Sequence, residues 1–175
     1  MIAGEYTIDV LKNQIGRGGA MVWMLILLAL TLCFYLIILA WIDFTTGLLP
    51  DGLTVSLLWI GLLGNAWLPW VSLHQAVWGA ACGYGFLWLV YHGFKLCTHR
   101  EGMGFGDFKL LAALGAWFGW PHLPMLLLIG SVSTLLMVLL LKYHGVTGMK
   151  KEIPFGPGLA FAGFCLLVKE VLTFI

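Results

Sequence analysis

From Met21 to Ile42 the chain carries no charged side chain. A helix of about 20 apolar residues crosses a hydrocarbon core, so this run is long enough to span a membrane. Similar runs follow at Leu53–Trp70, Ala76–Phe94, Gly106–Trp120 (a short one), Met125–Leu141 and from about Pro154 to Ile175. Only 10% of the residues are charged and 61% are hydrophobic, whereas soluble domains carry about 25% charged residues. The expectation is an all-α, polytopic integral membrane protein with about six transmembrane helices. Its 175 residues suit a single membrane-embedded core, residues 21–175, behind a polar tail, residues 1–20. The tail carries Glu5, Asp9, Lys12 and Arg17. It is not read as a signal peptide, because Met21–Ile42 exceeds the 7–15 residues of an h-region and no A-x-A site follows.

The segments between the runs have loop chemistry. Thr45-Thr46-Gly47 and Pro50-Asp51-Gly52 supply turn residues after the first run, and Pro121-His122-Leu123-Pro124 makes a tight turn after the fourth. The third run is rich in small residues (Gly79, Ala80, Ala81, Gly83, Gly85), which suits close helix packing in lipid. The nine tryptophans fall mostly near span ends, as interfacial anchors do. The cysteines Cys33, Cys82, Cys97 and Cys165 are scattered without a C-x-x-C pair and read as small apolar fillers. No basic run or aromatic-basic patch points to nucleic acid, and the expectation is no cofactor and no metal.

Lysine and arginine orient the spans. Lys95, Arg100 and Lys109 flank the loop between the third and fourth runs, and Lys142, Lys150 and Lys151 flank that between the fifth and sixth. Both loops fall on one side, which is therefore cytoplasmic. Lys12, Arg17 and Lys169 lie on the other side and weigh less.

Against this background, Glu101-Gly-Met-Gly-Phe-Gly-Asp-Phe-Lys109 stands out. It sets Asp107 and Lys109 directly before the apolar run Leu110–Trp120 and strips the side chains from Gly102, Gly104 and Gly106. A charged side chain entering lipid costs roughly 2.5–3.5 kcal/mol at a helix centre, so a partner for Asp107 is expected. Glu5 and Asp9 belong to the tail, Glu152 sits beside two lysines, Glu170 lies near the outer face, and Glu101 is in the more polar part of the same loop. Asp43 and Asp51 remain. Asp51 follows Pro50, an ordinary place for a helix N-cap. Asp43 directly follows a membrane helix, at the depth and on the side where Asp107 precedes another, and is taken as the partner. Two carboxylates a few ångströms apart share one proton and titrate as a coupled pair. Such a pair hydrolyses an amide without a metal, one member activating water and the other polarising the carbonyl. The glycines would let an extended peptide approach the backbone closely. Spacing and depth alone leave open that both acids merely cap helices at the interface.

The motifs add to this. Gly104-Phe105-Gly106-Asp107 resembles the G-x-G-D signature of intramembrane aspartyl proteases, and Glu101–Gly119 as a whole resembles the bacterial type IV prepilin peptidases. Asp43 followed by Leu49-Pro50-Asp51 is similar to that family's first motif, and Ile153-Pro154-Phe155-Gly156-Pro157 to the stretch heading its last helix. The resemblance covers Phe34 to about Phe164. It implies an aspartic-type endopeptidase of the bacterial inner membrane. Its substrates would be type IV prepilins or type II secretion pseudopilins, whose basic leader it removes at the cytoplasmic face. Asp43 and Asp107 match the catalytic aspartates; Gly104, Gly106, Lys109, Pro154 and Gly156 match motif positions that support them or the substrate. Fuller members carry two further helices and a zinc-binding segment with C-x-x-C pairs, and they also methylate the new N-terminus. Nothing of that kind precedes Met21, so a short form without zinc or N-methyltransferase activity is expected.

Other readings are weaker. His92 and His99 flank the loop of Asp107 but suit a solvated interface. Lys109 could support Asp107 or snorkel to the interface. A proton-coupled small transporter would place its acids near the midplane within repeated halves, and neither feature is present. A catalytically inactive pilus-assembly scaffold is a further alternative.

Overall fold

Every described element is helical. The structure, a computed structural model, describes residues 2–67, 70–98, 104–144 and 154–174. Six α-helices follow one another: α1 (Ile2–Thr46), α2 (Asp51–Trp67), α3 (Leu73–Thr98), α4 (Phe105–Phe118), α5 (Leu123–Tyr143) and α6 (Gly156–Phe174), with a 3₁₀ turn at Trp120–His122. They occupy the places of the six apolar runs. Among the described residues, Val22–Thr46 and Trp120–Tyr143 are long and apolar enough to cross a membrane unaided. Expected features at Arg100, Glu101, Gly102, His99, Pro69 and Lys150–Ile153 fall outside the described residues.

Two boundaries differ from expectation in ways that bear on the site. The first helix continues through the expected polar tail to Ile2, so residues 2–20 extend α1 rather than precede it. It also runs on past Ile42. Thr46 Oγ1 donates to the Ile42 carbonyl at 2.7 Å and accepts the Leu48 N–H at 3.2 Å. Gly47 then stops the helix: its φ of 68° is left-handed, and its N–H donates to the Asp43 carbonyl at 2.8 Å. This is an αL cap, a position that suits glycine. Asp43 therefore lies inside the last turn of α1, not after it.

The organising element is α4. From Asp107 to Phe118 each residue except Lys109 is buried, and a helix apolar all round belongs in a core. Its 14 residues rise about 21 Å, short of the about 30 Å hydrocarbon core. It sits among α2, α3 and α6, while α1 packs on α6 and α2, and α5 on α6. Small residues permit these approaches. A Cβ on Gly61 would lie 2.5 Å from Cδ1 of Trp117, and one on Gly83 2.9 Å from the Leu111 carbonyl oxygen. Trp117 is accordingly an interior residue and not an interfacial anchor: its Nε1–H donates to the Leu57 carbonyl at 2.9 Å.

A short buried helix must dispose of its terminal carbonyls. Asn65 of α2 does this for α4: its Nδ2 donates to the carbonyls of Ala116 (2.9 Å) and Trp117 (3.3 Å), while its Oδ1 accepts the Val71 N–H at 3.0 Å. One buried amide thus fixes the far end of the helix whose near end carries Asp107.

Candidate active site

Asp43 enters the site from the last turn of α1 and Asp107 from the first turn of α4. Both are buried, 5% and 7% exposed. Their burial follows from helical spacing. Leu32, Leu36, Leu39 and Asp43 form one stripe turned inward on α1. Asp107 opens the buried helix after Gly104, which takes the N-cap position with extended backbone (φ −75°, ψ 143°). The two carboxylates lie within electrostatic reach of each other. Elements distant in sequence, 64 residues apart, thus bring two acids into one low-dielectric space.

The head of α6 completes the arrangement. The Gly156 N–H donates to Oδ2 of Asp43 at 2.9 Å, which orients that carboxylate with a backbone group at a helix N-terminus, a natural anion site. A side chain there has no room: a Cβ on Gly156 would lie 2.5 Å from Asp43 Oδ2 and 2.9 Å from its Cγ. Gly156→Ala should therefore displace the Asp43 carboxylate and lower activity about 100-fold, since a misplacement of about 1 Å can cost that much. Unchanged turnover in a folded Gly156→Ala chain would show that this contact does not position the acid. Pro154 is half-buried two residues earlier, and Phe155 between them packs against the core.

The glycines before Asp107 divide into two kinds. A Cβ on Gly106 would lie 2.6 Å from that of Leu49, so Gly106 lets the loop after α1 settle on the start of α4. The space beside Gly104 is open: a methyl group on its Cα would meet nothing within 4 Å.

Asp51 stands one residue past its expected N-cap position, and its side chain meets that of Lys109. The Pro50 carbonyl accepts the Leu53 and Thr54 N–H groups, so Pro50 occupies the cap and Asp51 opens α2 proper. The Asp51 carboxylate accepts from Lys109 Nζ at 2.5 Å, joining the first turns of α2 and α4. Lys109 thus pairs with Asp51, outside the two buried acids. The pair is solvent-accessible, 29% for Lys109 and 70% for Asp51, so its worth is about 1 kcal/mol at most. Asp51→Asn should leave activity within a few-fold of wild type; total loss would give Asp51 a chemical role. His92 is engaged with its own helix, Nδ1 lying 2.9 Å from the Trp88 carbonyl oxygen and its ring stacked on Trp88 at 3.9 Å. Among the described residues, no group of three or more His, Cys, Asp or Glu side chains could hold a metal ion.

These features define a class: an all-α membrane protein with two buried aspartates brought together from separate helices. Residues 30–139 match the type IV leader peptidase family, and the chain belongs to it. It is 52% identical to a prepilin leader peptidase/N-methyltransferase of Aeromonas hydrophila over 81% of its own length and 49% of that protein. The proteins of the same description from Escherichia coli K12 and Pectobacterium carotovorum are 52% and 50% identical, over 76% and 77% of this chain and 58% and 48% of theirs. The chain spans about half the length of the curated relatives it matches. No solved structure matches it.

Proposed function

We propose that this chain is an aspartic endopeptidase that removes the leader peptide from type IV prepilins or type II secretion pseudopilins, with Asp43 and Asp107 as its catalytic pair. The observation that carries the reading is the convergence of these two buried carboxylates, within a family whose curated relatives are named leader peptidases. The pair shares one proton. Its ionised member takes a proton from water as the oxygen attacks the scissile carbonyl, and its protonated member hydrogen-bonds the carbonyl oxygen. The tetrahedral intermediate collapses as a proton passes to the departing amine. A leader with a new carboxylate and a pilin with a free N-terminus result. Asp43 is the better-anchored partner because Gly156 holds it; Asp107 stands beside the open approach at Gly104.

The site opens toward the cytoplasm in this reading, because Lys95, Lys109 and Lys142 lie at the same end of the helices as the acids. The acids stand at one end of α1 and α4, which fits cleavage at a membrane face better than transport through the midplane. Co-expression with a membrane-inserted prepilin tests the proposal. A shift to the mature size on a gel is expected with the wild-type chain, and no shift would overturn it. Mass spectrometry of the product N-terminus identifies the bond cut and whether a methyl group has been added.

A further inference from the structure

Outside the buried acids, the most informative surface is the outer face of α1. Leu27, Leu30, Phe34, Ile37, Trp41 and Phe44 recur in alternating steps of three and four residues, and each is between 51% and 70% exposed. An apolar repeat averaging about 3.5 residues is the seam along which one helix packs nearly parallel to another. It is continuous for about 26 Å, most of a hydrocarbon core. The seam's lower end is concave. Ile37, Ile38, Ala40, Trp41 and Phe44 with Pro157 of α6 line an open apolar groove of about 550 Å³.

The position of that groove says what fills it. Phe44, the last residue of the exposed stripe, is the neighbour of Asp43, the last residue of the buried one. Pro157 likewise follows Gly156, whose N–H holds the Asp43 carboxylate. The seam therefore ends at the level of the acids, and a helix lying along it brings one of its ends to the site. Its occupant is apolar, helical and about a membrane thickness long, with a peptide bond to be cut where it leaves the groove.

Resting on the peptidase reading above, we infer that the outer face of α1 and the groove at Pro157 hold the apolar membrane helix of the substrate. The substrate helix runs antiparallel to α1 from the scissile bond. Residues just after the cut lie by Phe44 and Trp41, and residues deeper in the membrane lie by Phe34 and Leu27. The acids perform the chemistry; this face selects a helix-bearing substrate and sets which bond reaches them.

The test uses the full chain in membranes with Asp107→Asn to hold the substrate uncut. A photoreactive benzoylphenylalanine replaces, in turn, Leu27, Phe34, Ile37 or Trp41, and Leu63 on the exposed face of α2 as control. On illumination with a co-expressed prepilin, the four α1 positions should crosslink to the pilin helix. The attachment point should move deeper along that helix as the label moves from Trp41 to Leu27, and Leu63 should give no product. In a separate arm without Asp107→Asn, Ala40→Trp fills the groove and should lower kcat/KM for the membrane substrate at least tenfold. Leu63→Trp should not. Cleavage by the wild-type chain with crosslinks only to lipid or to a second copy of the chain overturns the inference and leaves the peptidase reading standing. A pilin that crosslinks in the expected order but is never cut by wild type supports the groove and overturns that reading.

Discussion

Asp43→Asn and Asp107→Asn should each lower leader cleavage by about a thousandfold or more, with the chain still folded in the membrane. Removal of a positioned general acid or base costs about 10²–10⁴ in rate, and here one substitution disables both roles. In the proposed mechanism the pair works only as a unit that holds one exchangeable proton, and an amide neither takes a proton from water nor supplies one. The loss from Asp43→Asn plus Asp107→Asn together should accordingly be close to that of either alone, as for residues that act as one device. Folding is preserved for a physical reason. Asn matches Asp in volume, and at position 43 its side-chain carbonyl still accepts the Gly156 N–H. Each substitution also removes one of two acidic groups held in a buried space. Thermal unfolding should be unchanged or higher in both variants. Substantial cleavage by either would overturn the dyad; loss of folded protein alongside activity would leave Gly156→Ala as the discriminating measurement.

What the sequence made legible here was set by charge in an apolar context. Few acids occur, so elimination led to Asp43 and Asp107, and the structure brings both into one buried space. The same logic did not reveal that Asp51 and Lys109 pair, because it weighed each against its neighbours along the chain. Their partners are each other across 58 residues, a relation that local spacing does not encode. Apolar runs gave six helices but could not rank them by burial. In a chain this apolar, an interior helix such as α4 and a lipid-facing one such as α1 have much the same composition, and only packing separates them. Asn65 had a visible signal, a lone amide within an apolar run, which in a membrane marks a hydrogen-bonding duty. Gly47 likewise ended α1 four residues beyond the apolar boundary, since the threonine hydroxyls satisfied backbone carbonyls that hydrophobicity counts ignore.

Gly79→Val should be the most damaging substitution away from the acids. The α3–α4 crossing is made backbone to backbone: a Cβ on Gly79 would lie 2.7 Å from the carbonyl carbon of Gly115 and 2.9 Å from that of Gly119, and a Cβ on Gly115 would lie 2.5 Å from the carbonyl carbon of Gly79. Neither neighbour is a flexible side chain that can swing aside, so the helices must separate. That would open the interface along Leu87, Tyr91, Phe108 and Leu111, all buried. Overpacking of a close-packed core costs about 1–3 kcal/mol and occasionally more; with two backbones in contact the upper end, about 3 kcal/mol, is expected. The about 1 kcal/mol gained in helix propensity on replacing glycine by alanine does not offset this, so Gly79→Ala should also destabilise the chain. Gly85→Ala on the same helix is the control, because a Cβ there meets nothing within 4 Å, and it should leave stability unchanged or slightly raised. Detergent unfolding followed by tryptophan fluorescence reads all three, since Trp117 reports on the interior of the bundle. Activity should fall with stability in the Gly79 variants, because Asp107 is carried by the helix that Gly79 admits. Equal stability of Gly79→Val and Gly85→Ala would show that α3 and α4 do not cross at these glycines, and that the first turn of α4 is positioned by α2 and α6 alone.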